Sequence, residues 1–398
     1  MIGLIASLLR ARLPALFLVL FLPLALAARQ PPALRTEKAL SQVFEAIEQS
    51  KFDVALERVE AMLAANPNYR LAHLIRGDLL LARTRPITTF GNAGNVPREK
   101  VEDLRAEALS RLRALRERPD TNHVPRYVLQ FRKEQTHALV VDAKRSRLYV
   151  YENDQGRPRY VADYYVSLGK RGVDKLREGD QKTPVGVYHV TANLPRRKLA
   201  DFYGSGAFPI NYPNEWDKRR GRNGHGIWLH GTPSNTFARP PRASDGCIVL
   251  SNDDLEFLGN ELQVGLTAVI IADEIQWADS ATQEAERKSL AQAIEAWRSD
   301  WESLNTDKYL RHYSAKFHSA DQDLAQWGAH KRKVNAGKTW IKLGLDGVNM
   351  FRNPGKDDFV VVSFEQGYRS SNLSNSMRKR QYWMKEGASW KIIYEGSA

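Results

Sequence analysis

The amino-acid sequence predicts a multidomain α+β protein, because the type of hydrophobic pattern changes twice along the chain. Apolar residues recur with a helical period in residues 36–118, follow strand patterns in residues 136–274, and return to one long helix followed by strands in residues 281–398. The 398 residues suffice for two or three domains with cores of their own. The mixture of 42% hydrophobic and 26% charged residues excludes wholesale disorder, a collagen-like repeat and a protein with many membrane spans.

Residues 1–28 have the composition of an export signal. Arg10 and Arg12 precede an apolar run over residues 13–26, which ends in an Ala-x-Ala sequence. A basic flank, a short apolar stretch and small residues at the end predict a secretory signal peptide. An uncleaved N-terminal anchor is the alternative, because residues 2–9 are also apolar. Both hypotheses place the body of the protein outside the cytoplasm, in the periplasm or cell envelope.

The charge and the cysteine count limit the partners that we expect. A formal net charge of +13 favours anionic envelope polymers and lipid head groups. The sequence has no helix-turn-helix, zinc-finger or RNA-recognition pattern, so we expect no nucleic-acid partner. One cysteine excludes an intrachain disulfide and a thiolate-rich metal cage. The histidine pairs His225 with His230 and His312 with His318 lack a third ligand at suitable spacing, so we expect neither a metal nor a cofactor.

Residues 36–118 predict a helical segment. The pattern gives two helices within residues 37–65, a third over residues 69–82 after Pro67, and a strongly charged helix over residues 100–117. The first helices resemble one tetratricopeptide-like unit and the start of another. Because a stable array needs about three such repeats, we expect a short helical cap or docking piece.

Residues 136–274 predict a mostly β domain with one helix at residues 252–262. Its strands are expected at residues 138–142, 147–151, 160–168, 184–190, 226–230 and 267–272.

The sole cysteine, Cys247, lies in this domain and follows Gly246, while His230 stands at the end of an earlier strand. A lone cysteine is by default a small buried residue. Here a turn at the glycine would expose the sulfur and neighbouring backbone N–H groups. Cysteine attack requires a thiolate with a nearby base or counter-ion, and the resulting oxyanion requires preorganised donors. The pattern therefore indicates nucleophilic catalysis.

The same residues carry a family resemblance. The His-Gly pair at 230–231, followed by Ser-x-Gly-Cys-Ile at 244–248, resembles the signature of the L,D-transpeptidase catalytic (YkuD) domain. The segment at 182–188 is similar to the Thr-Pro-x-Gly-x-aromatic strand of that family. The resemblance implies that Cys247 attacks the carbonyl of a peptidoglycan stem peptide and forms a thioester. His230 would take the thiol proton and later activate the acceptor.

The resemblance also implies supporting roles for neighbouring residues. The carbonyl of Gly231 would orient the imidazole, and Ser244 would brace the turn. The expected oxyanion donors are the backbone N–H groups of Asp245, Gly246 and Cys247.

The family's substrates define the functions that we consider. The donor is a tetrapeptide stem that loses its terminal D-Ala. The acceptor is the amine of a meso-diaminopimelate residue, which gives a 3→3 crosslink, or a lysine of an envelope lipoprotein. With water as the acceptor, the same thioester would make the protein a hydrolase that trims stems or releases lipoprotein. A non-catalytic wall-binding scaffold is the remaining hypothesis, and the intact Cys/His pair argues against it.

Two positions depart from the family pattern. Asp245 stands where the family often has His, and Val249 where it often has Arg. A carboxylate is not a base at neutral pH without a large pKa shift, which leaves His230 as the main candidate. The missing arginine leaves the substrate carboxylate without its usual partner.

Arg239 or Arg242 could replace that partner. Both lie in residues 233–242, where three prolines predict a semi-rigid flap over the site, with an ordinary connecting loop as the alternative. His225 is expected to be structural or to lie at the edge of the substrate site, because in an ideal strand it faces away from His230.

Residues 281–398 predict a third module. A helix over residues 283–304 carries a stripe of apolar residues, and a short helix follows near residues 307–313. Strands are expected at residues 339–345, 347–352, 358–366, 378–385 and 390–394. This order resembles the nuclear-transport-factor-2-like (NTF2-like) cone of the SnoaL type. The sequence shows no compelling polar set inside it, so we expect the module to guide substrate or to form a homodimer.

Overall fold

A computed structural model describes residues 32–92, 97–117, 123–320 and 322–398. The signal peptide or anchor predicted over residues 1–28 lies outside these ranges. The predicted multidomain α+β fold class is confirmed: helices come first, a mostly β region follows, and an α+β cone ends the chain. Of the helices within the described ranges, none combines the length and apolar character that crossing a membrane requires.

Four helices form the N-terminal helical module, close to the predicted positions: α1 Pro32–Glu48, α2 Phe52–Ala65, α3 Arg70–Ala82 and α4 Arg98–Arg116. Each of the first three packs on the next, and α4 packs on α3 and α1. Ser50 takes a left-handed conformation (φ 56°) at the bend between α1 and α2. The apolar stripes meet in one core that includes Leu40, Val59 and Tyr69. The tetratricopeptide-like character of this module stays a prediction.

Two short strands, β1 His123–Pro125 and β2 Val128–Gln130, lead from the helical module into the catalytic region. Eleven strands follow: β3 His137–Asp142, β4 Arg147–Asp154, β5 Arg157–Tyr165, β6 Leu168–Gly169, β7 Gly186–His189, β8 Leu194–Pro195, β9 Gly206–Pro209, β10 Trp228–His230, β11 Arg242–Ser244, β12 Ile248–Val249 and β13 Ala268–Ala272. Helix α5 Glu215–Arg219 precedes β10, and α6 Asn252–Gly259 follows β12.

These strands form a five-stranded sheet in the order β5-β4-β3-β13-β7 and a four-stranded sheet in the order β12-β10-β9-β8. Both sheets contribute to one apolar core, to which the second sheet supplies Leu229 from β10 and Ile248 from β12. Because side chains alternate along a strand, the residues next to these two face away from the core. That second face carries the candidate active site.

The C-terminal module begins with β14 Trp277–Asp279, α7 Ser280–Glu302 and α8 Thr306–Leu310. It continues with β15 Tyr313–Ser319, β16 Gln322–Asp323, α9 Leu324–Ala336, β17 Ile341–Arg352, β18 Phe359–Ser370, β19 Leu373–Glu386 and β20 Ser389–Ser397. The two strands predicted at residues 339–352 are one strand, whose register shifts between Asp346 and Asn349. Helix α9 was not predicted from the sequence, because it buries only Gly328 and Asn335 and has no apolar stripe.

The C-terminal sheet has the order β16-β15-β20-β19-β18-β17-β2, so its edge is a strand that precedes the catalytic region. Strand β1 likewise pairs with β14. A further contact comes from α5, where the Trp216 ring lies 4.7 Å from that of Phe359 and 5.9 Å from that of Tyr382. The catalytic and C-terminal regions are therefore joined by strand pairing and by aromatic packing.

The helical module contacts the catalytic region through buried ion pairs. Glu37 Oε1 accepts hydrogen bonds from Arg111 Nη1 (2.7 Å) and Arg147 Nη1 (3.0 Å). Arg111 Nε also donates to Glu107 Oε1 at 2.9 Å. All four side chains are buried. A buried charge that loses its partner is costly, so this network holds α1 and α4 against β4.

Candidate active site

Cys247 is placed by a turn that Ser244 braces. Ser244 Oγ donates to the Cys247 carbonyl at 2.7 Å and accepts from the Gly246 N–H at 3.1 Å. Gly246 has φ 129°, and a Cβ there would lie 2.7 Å from the Lys182 carbonyl oxygen. The position therefore requires glycine. The sulfur that follows is half-buried, and its S–H donates to the Gly226 carbonyl at 3.3 Å.

The strand register brings His230 to the same face as Cys247. Strands β10 and β12 run parallel, with Leu229 paired to Ile248 and His230 to Val249. Cys247 is thus level with Trp228, two positions before His230. From strand rise and spacing, the two Cα atoms are roughly 8 Å apart. Within the described residues no hydrogen bond joins the two side chains, so a proton passes between them only after a rotation of the thiol.

The imidazole of His230 is buried and held in one orientation. Its Nδ1 lies 2.7 Å from the Gly231 carbonyl oxygen, so Nδ1 carries the hydrogen and Nε2 is the free base. The Tyr203 and Phe202 rings lie 5.2 and 5.8 Å from the imidazole. Burial, with a further contribution from the positive charge of Arg239, lowers the pKa of His230 to about 4, against the opposing effect of the Gly231 bond. The ring is therefore neutral at pH 7 and able to accept a proton.

The thiol of Cys247 is not strongly ionised. Burial raises its pKa, while the Trp228 N–H and the positive charge of Arg239 oppose that rise, and Asp245 adds to it. A preformed thiolate–imidazolium pair is therefore not the resting state. Attack by the sulfur would therefore require a base that accepts the thiol proton during the reaction. His230 is neutral and can be that base.

The oxyanion donors differ from the expected set. The Gly246 N–H, predicted to bind the oxyanion, donates to Ser244 Oγ instead, because the bracing hydroxyl lies under the turn. In the described ranges the N–H groups of Asp245 and Cys247 have no protein acceptor. Two of the three predicted donors thus remain free for a substrate oxygen.

The structure defines the surroundings of the two residues that depart from the family pattern. Asp245 is exposed, and its Oδ1 accepts from Lys170 Nζ and from Gln181 Nε2, each at 3.0 Å. It ties together two neighbouring segments at the rim of the site. Val249 is buried and exchanges backbone hydrogen bonds with Ser167.

The two arginine candidates lie in different places. The Arg239 guanidinium stacks over the Phe202 ring at 4.6 Å, and its charge acts on both Cys247 and His230. In the described part of the chain no carboxylate forms an ion pair with it. Arg242, by contrast, is the exposed residue of β11, and its guanidinium covers Gly172.

The side chain of His225 is turned to solvent, although the carbonyl of the next residue, Gly226, accepts from the Cys247 thiol. The His225 side chain is 79% exposed, and its Nδ1 lies 3.6 Å from Glu178. The positive φ of Gly224 and of Gly226 on either side turns it outward. Across residues 32–92, 97–117, 123–320 and 322–398, no group of three or more His, Cys, Asp or Glu side chains is arranged to hold a metal ion.

The C-terminal module contains a cavity of about 330 Å³ that was not predicted from the sequence. Its charged lining comes from three separate elements: Lys331 on α9, Lys379 on β19 and Glu395 on β20. The Lys331 ammonium lies 4.6 Å from the Trp301 ring and 4.3 Å from the Trp327 ring. The expectation of no polar set in this module was wrong, since residues far apart in sequence meet only after folding.

Comparison with known proteins agrees with this architecture. The family model of the L,D-transpeptidase catalytic domain matches residues 136–271. The chain contains an L,D-transpeptidase catalytic domain. The model of the Cds6 C-terminal NTF2-like domain matches residues 289–396, which confirms the second resemblance. No curated protein gives a significant sequence match. The limits 36–118, 136–274 and 281–398 remain our own division of the chain.

Two solved structures resemble the L,D-transpeptidase and NTF2-like domains together. Bd1075 of Bdellovibrio bacteriovorus is 28% identical, with a TM-score of 0.61, over 69% of this chain and 98% of that one. Pgp2 of Campylobacter jejuni, described as a helical cell shape determining protein, is 25% identical, with a TM-score of 0.59, over 71% of this chain and 97% of that one.

Proposed function

We propose that the protein is an exported cysteine L,D-transpeptidase that acts on peptidoglycan stem peptides. One observation carries the proposal: a half-buried thiol and a neutral, fixed imidazole lie on one sheet face beside the guanidinium of Arg239, which has no ion-pair partner among the residues that the structure describes. The thiol supplies a nucleophile, the imidazole a base, and the arginine a site for a substrate carboxylate. The catalytic domain supplies the reaction class.

The first half-reaction forms a thioester. His230 Nε2 takes the proton of the Cys247 thiol, and the sulfur attacks the carbonyl that precedes the terminal D-Ala of a tetrapeptide stem. The free N–H groups of Asp245 and Cys247 stabilise the oxyanion. The C–N bond then breaks, and the protonated His230 gives its proton to the leaving amine. Arg239 holds the carboxylate of that D-Ala.

The second half-reaction regenerates the thiol. An acceptor amine gives a proton to His230 and attacks the thioester carbonyl, and the sulfur leaves and regains the proton. The acceptor is the amine of a meso-diaminopimelate residue, which gives a 3→3 crosslink, or a lysine of an envelope lipoprotein. Water in the same position gives a tripeptide, which is the competing hydrolase hypothesis.

A reaction with purified protein tests both halves. Disaccharide tetrapeptide is incubated with wild type, Cys247→Ala and the control His225→Ala, whose histidine is exposed. We expect wild type and the control to release D-Ala and form a 3→3 dimer, and intact-mass analysis to detect the acyl-enzyme. Tripeptide without dimer would replace the transferase by the hydrolase. No D-Ala release and no labelling of Cys247 by iodoacetamide at neutral pH would favour the non-catalytic scaffold.

Experiments in cells test export and the biological role. A fusion to a reporter that is active only outside the cytoplasm should report activity when residues 1–28 are present. Muropeptide analysis should show 3→3 crosslinks that depend on Cys247. Because Pgp2 is described as determining helical cell shape, we extend to this protein the proposal that its loss changes cell curvature. The proposed homodimer is tested by sedimentation of the full chain.

A further inference from the structure

The flap, residues 233–242, is attached to the helical module. The Phe237 ring lies 4.5 Å from the Tyr69 ring, which belongs to the helical core. The Phe237 N–H donates to the Asn68 carbonyl at 3.5 Å, and Asn68 Nδ2 donates to the Ser234 carbonyl at 3.3 Å. Ala238 packs against the same core. The middle of the flap thus uses the helical module as its floor.

Arg239, the next residue along the flap after Phe237 and Ala238, is held by a second contact. Tyr165 on β5 donates its hydroxyl hydrogen to the Arg239 carbonyl at 2.9 Å. The Tyr165 ring lies 4.0 Å from the guanidinium of Arg111, the α4 residue that pairs with Glu37 and Glu107. The buried ion pairs therefore hold the same part of the helical module that supports the flap. Both supports converge on the backbone of Arg239.

The side chain of Arg239 points the other way, toward the reaction centre. It stacks on Phe202, an exposed ring 5.8 Å from His230, and has no carboxylate partner among the described residues. A long side chain with a free guanidinium loses considerable conformational entropy when it is held in one place. Its aim therefore depends on where its backbone is fixed.

We propose that the helical module is part of the active site and that Phe237 and Tyr69 are positioning residues that aim Arg239 at the carboxylate of the acyl donor. This inference rests on the proposed function for the identity of that carboxylate. It gives a more specific role to the segment that the sequence predicts to be a short helical cap or docking piece. Without the ring contact, the flap loses its floor, and Arg239 samples positions away from Cys247.

Alkylation of Cys247 tests the aim of Arg239 without any enzymatic turnover. In each reaction the thiolate sulfur displaces iodide from carbon. Iodoacetate carries a carboxylate beside the reacting carbon, whereas iodoacetamide is neutral and of similar size. The ratio of the two rate constants at one pH therefore reports a cation near the sulfur. Changes in thiol pKa affect both reagents and largely cancel in the ratio.

We expect Arg239→Gln to lower the iodoacetate-to-iodoacetamide ratio about fivefold, the effect of one nearby charge in water. Phe237→Ala should also lower the ratio. Phe237→Tyr, which keeps the ring, should have the wild-type ratio. Phe44→Ala is the matched control, because Phe44 packs on the same helical core but has no ring contact with the flap. Its ratio should equal that of wild type. Thermal unfolding shows that each variant is folded.

The outcomes separate the two proposals. If Phe237→Ala keeps the wild-type ratio while Arg239→Gln lowers it, the helical module does not position Arg239 and this inference is wrong. If Arg239→Gln has no effect, Arg239 does not face the sulfur and the inference also fails. If the ratios behave as expected but no D-Ala is released from tetrapeptide, the positioning stands and the proposed function fails. With an active protein, Phe237→Ala should raise KM more than it lowers kcat.

Discussion

The catalytic cleft and the C-terminal cavity both bury ionisable side chains, but they differ in how those side chains are partnered. In the cleft, Cys247 and Arg239 lack an ion-pair partner within the described residues. In the cavity, Glu395 accepts from Lys379 Nζ at 2.6 Å, Gln381 Nε2 at 2.8 Å and Tyr313 at 2.8 Å. The Glu395 carboxylate is therefore satisfied, as expected of a group that stabilises the fold, whereas groups left without partners are available to a substrate. The cavity is not satisfied throughout, because buried polar atoms of Trp301, Trp327 and Gln366 in its lining have no hydrogen-bond partner among the described residues.

The largest expected effect is the loss of catalysis when the nucleophile of the cleft is removed, whereas a substitution in the C-terminal cavity should leave the cleft unchanged. Cys247→Ala removes the nucleophile, so D-Ala release should fall below detection while the protein stays folded. Lys331→Ala, a change in the other cavity, should leave the rate of Cys247 alkylation by iodoacetamide within about twofold of wild type, since distant sites act independently. The measurements are D-Ala release and alkylation followed by mass. Turnover by Cys247→Ala would show that the chemistry lies elsewhere.

The next effect concerns the base. His230→Gln should lower kcat/KM by about 10²–10⁴-fold, the usual contribution of a general base. His225→Gln should stay close to wild type, because His225 is exposed and lies beside Glu178. Steady-state kinetics on tetrapeptide decide the matter. Equal losses in the two variants would contradict the assignment of His230.

A third substitution tests the buried carboxylate of the C-terminal cavity. Glu395→Gln leaves Lys379 buried without its partner and should lower the free energy of unfolding by about 3 kcal/mol. Urea denaturation followed by tryptophan fluorescence measures this loss, with the exposed Asp346→Asn as the control, expected within about 0.5 kcal/mol of wild type. Alkylation of Cys247 should not change.

The same carboxylate predicts a dependence of stability on pH. Burial alone would raise the pKa of Glu395, but Lys379 and Lys331 hold it below its usual range. Its contribution is therefore present at neutral pH and is lost as the pH falls through the lowered value. Glu395→Gln should unfold with a weaker dependence on acid than wild type. Parallel curves for the two proteins would show that Glu395 is not stabilised by its neighbours.

The smallest effects are shifts in the pH dependence of alkylation. The rate for wild type should rise with pH and reach its midpoint above the ordinary value for a thiol, because burial raises the pKa of Cys247. Arg239→Gln should move the midpoint to higher pH, and Asp245→Asn should move it to lower pH. Stopped-flow alkylation with iodoacetamide measures both. Shifts of the same sign in the two variants would contradict the placement of these charges.

The sequence predicted the cleft far better than the cavity, for a physical reason. His230 and Cys247 lie on two short segments, each of which contains a glycine that fixes the local backbone. The sequence motif alone was therefore enough to predict this site. Lys331 and Glu395 are 64 residues apart in the sequence, and they meet only when helix α9 packs over the last strands. Longer-range packing of this kind leaves no local pattern.

Some details of the cleft could not be predicted from the sequence either. A hydroxyl under a turn can bind whichever N–H faces it, so the capture of the Gly246 N–H by Ser244 follows from folded geometry alone. The partners of Asp245 are of the same kind, since they come from a different loop. The helices, by contrast, were predicted closely where an apolar stripe was present, as in α1 to α3, and missed where it was absent, as in α9.

The pairing of strand β2 affects how the chain folds during synthesis and how it tolerates truncation. Val128 pairs with Phe351, so a segment synthesised early waits for one synthesised more than 200 residues later before its hydrogen bonds are complete. Contacts this distant slow folding, and a product that stops after residue 280 would leave an apolar edge open to self-association. Truncation is therefore a poor tool for dissecting this protein, and a premature stop codon would yield an aggregation-prone fragment instead of a smaller enzyme.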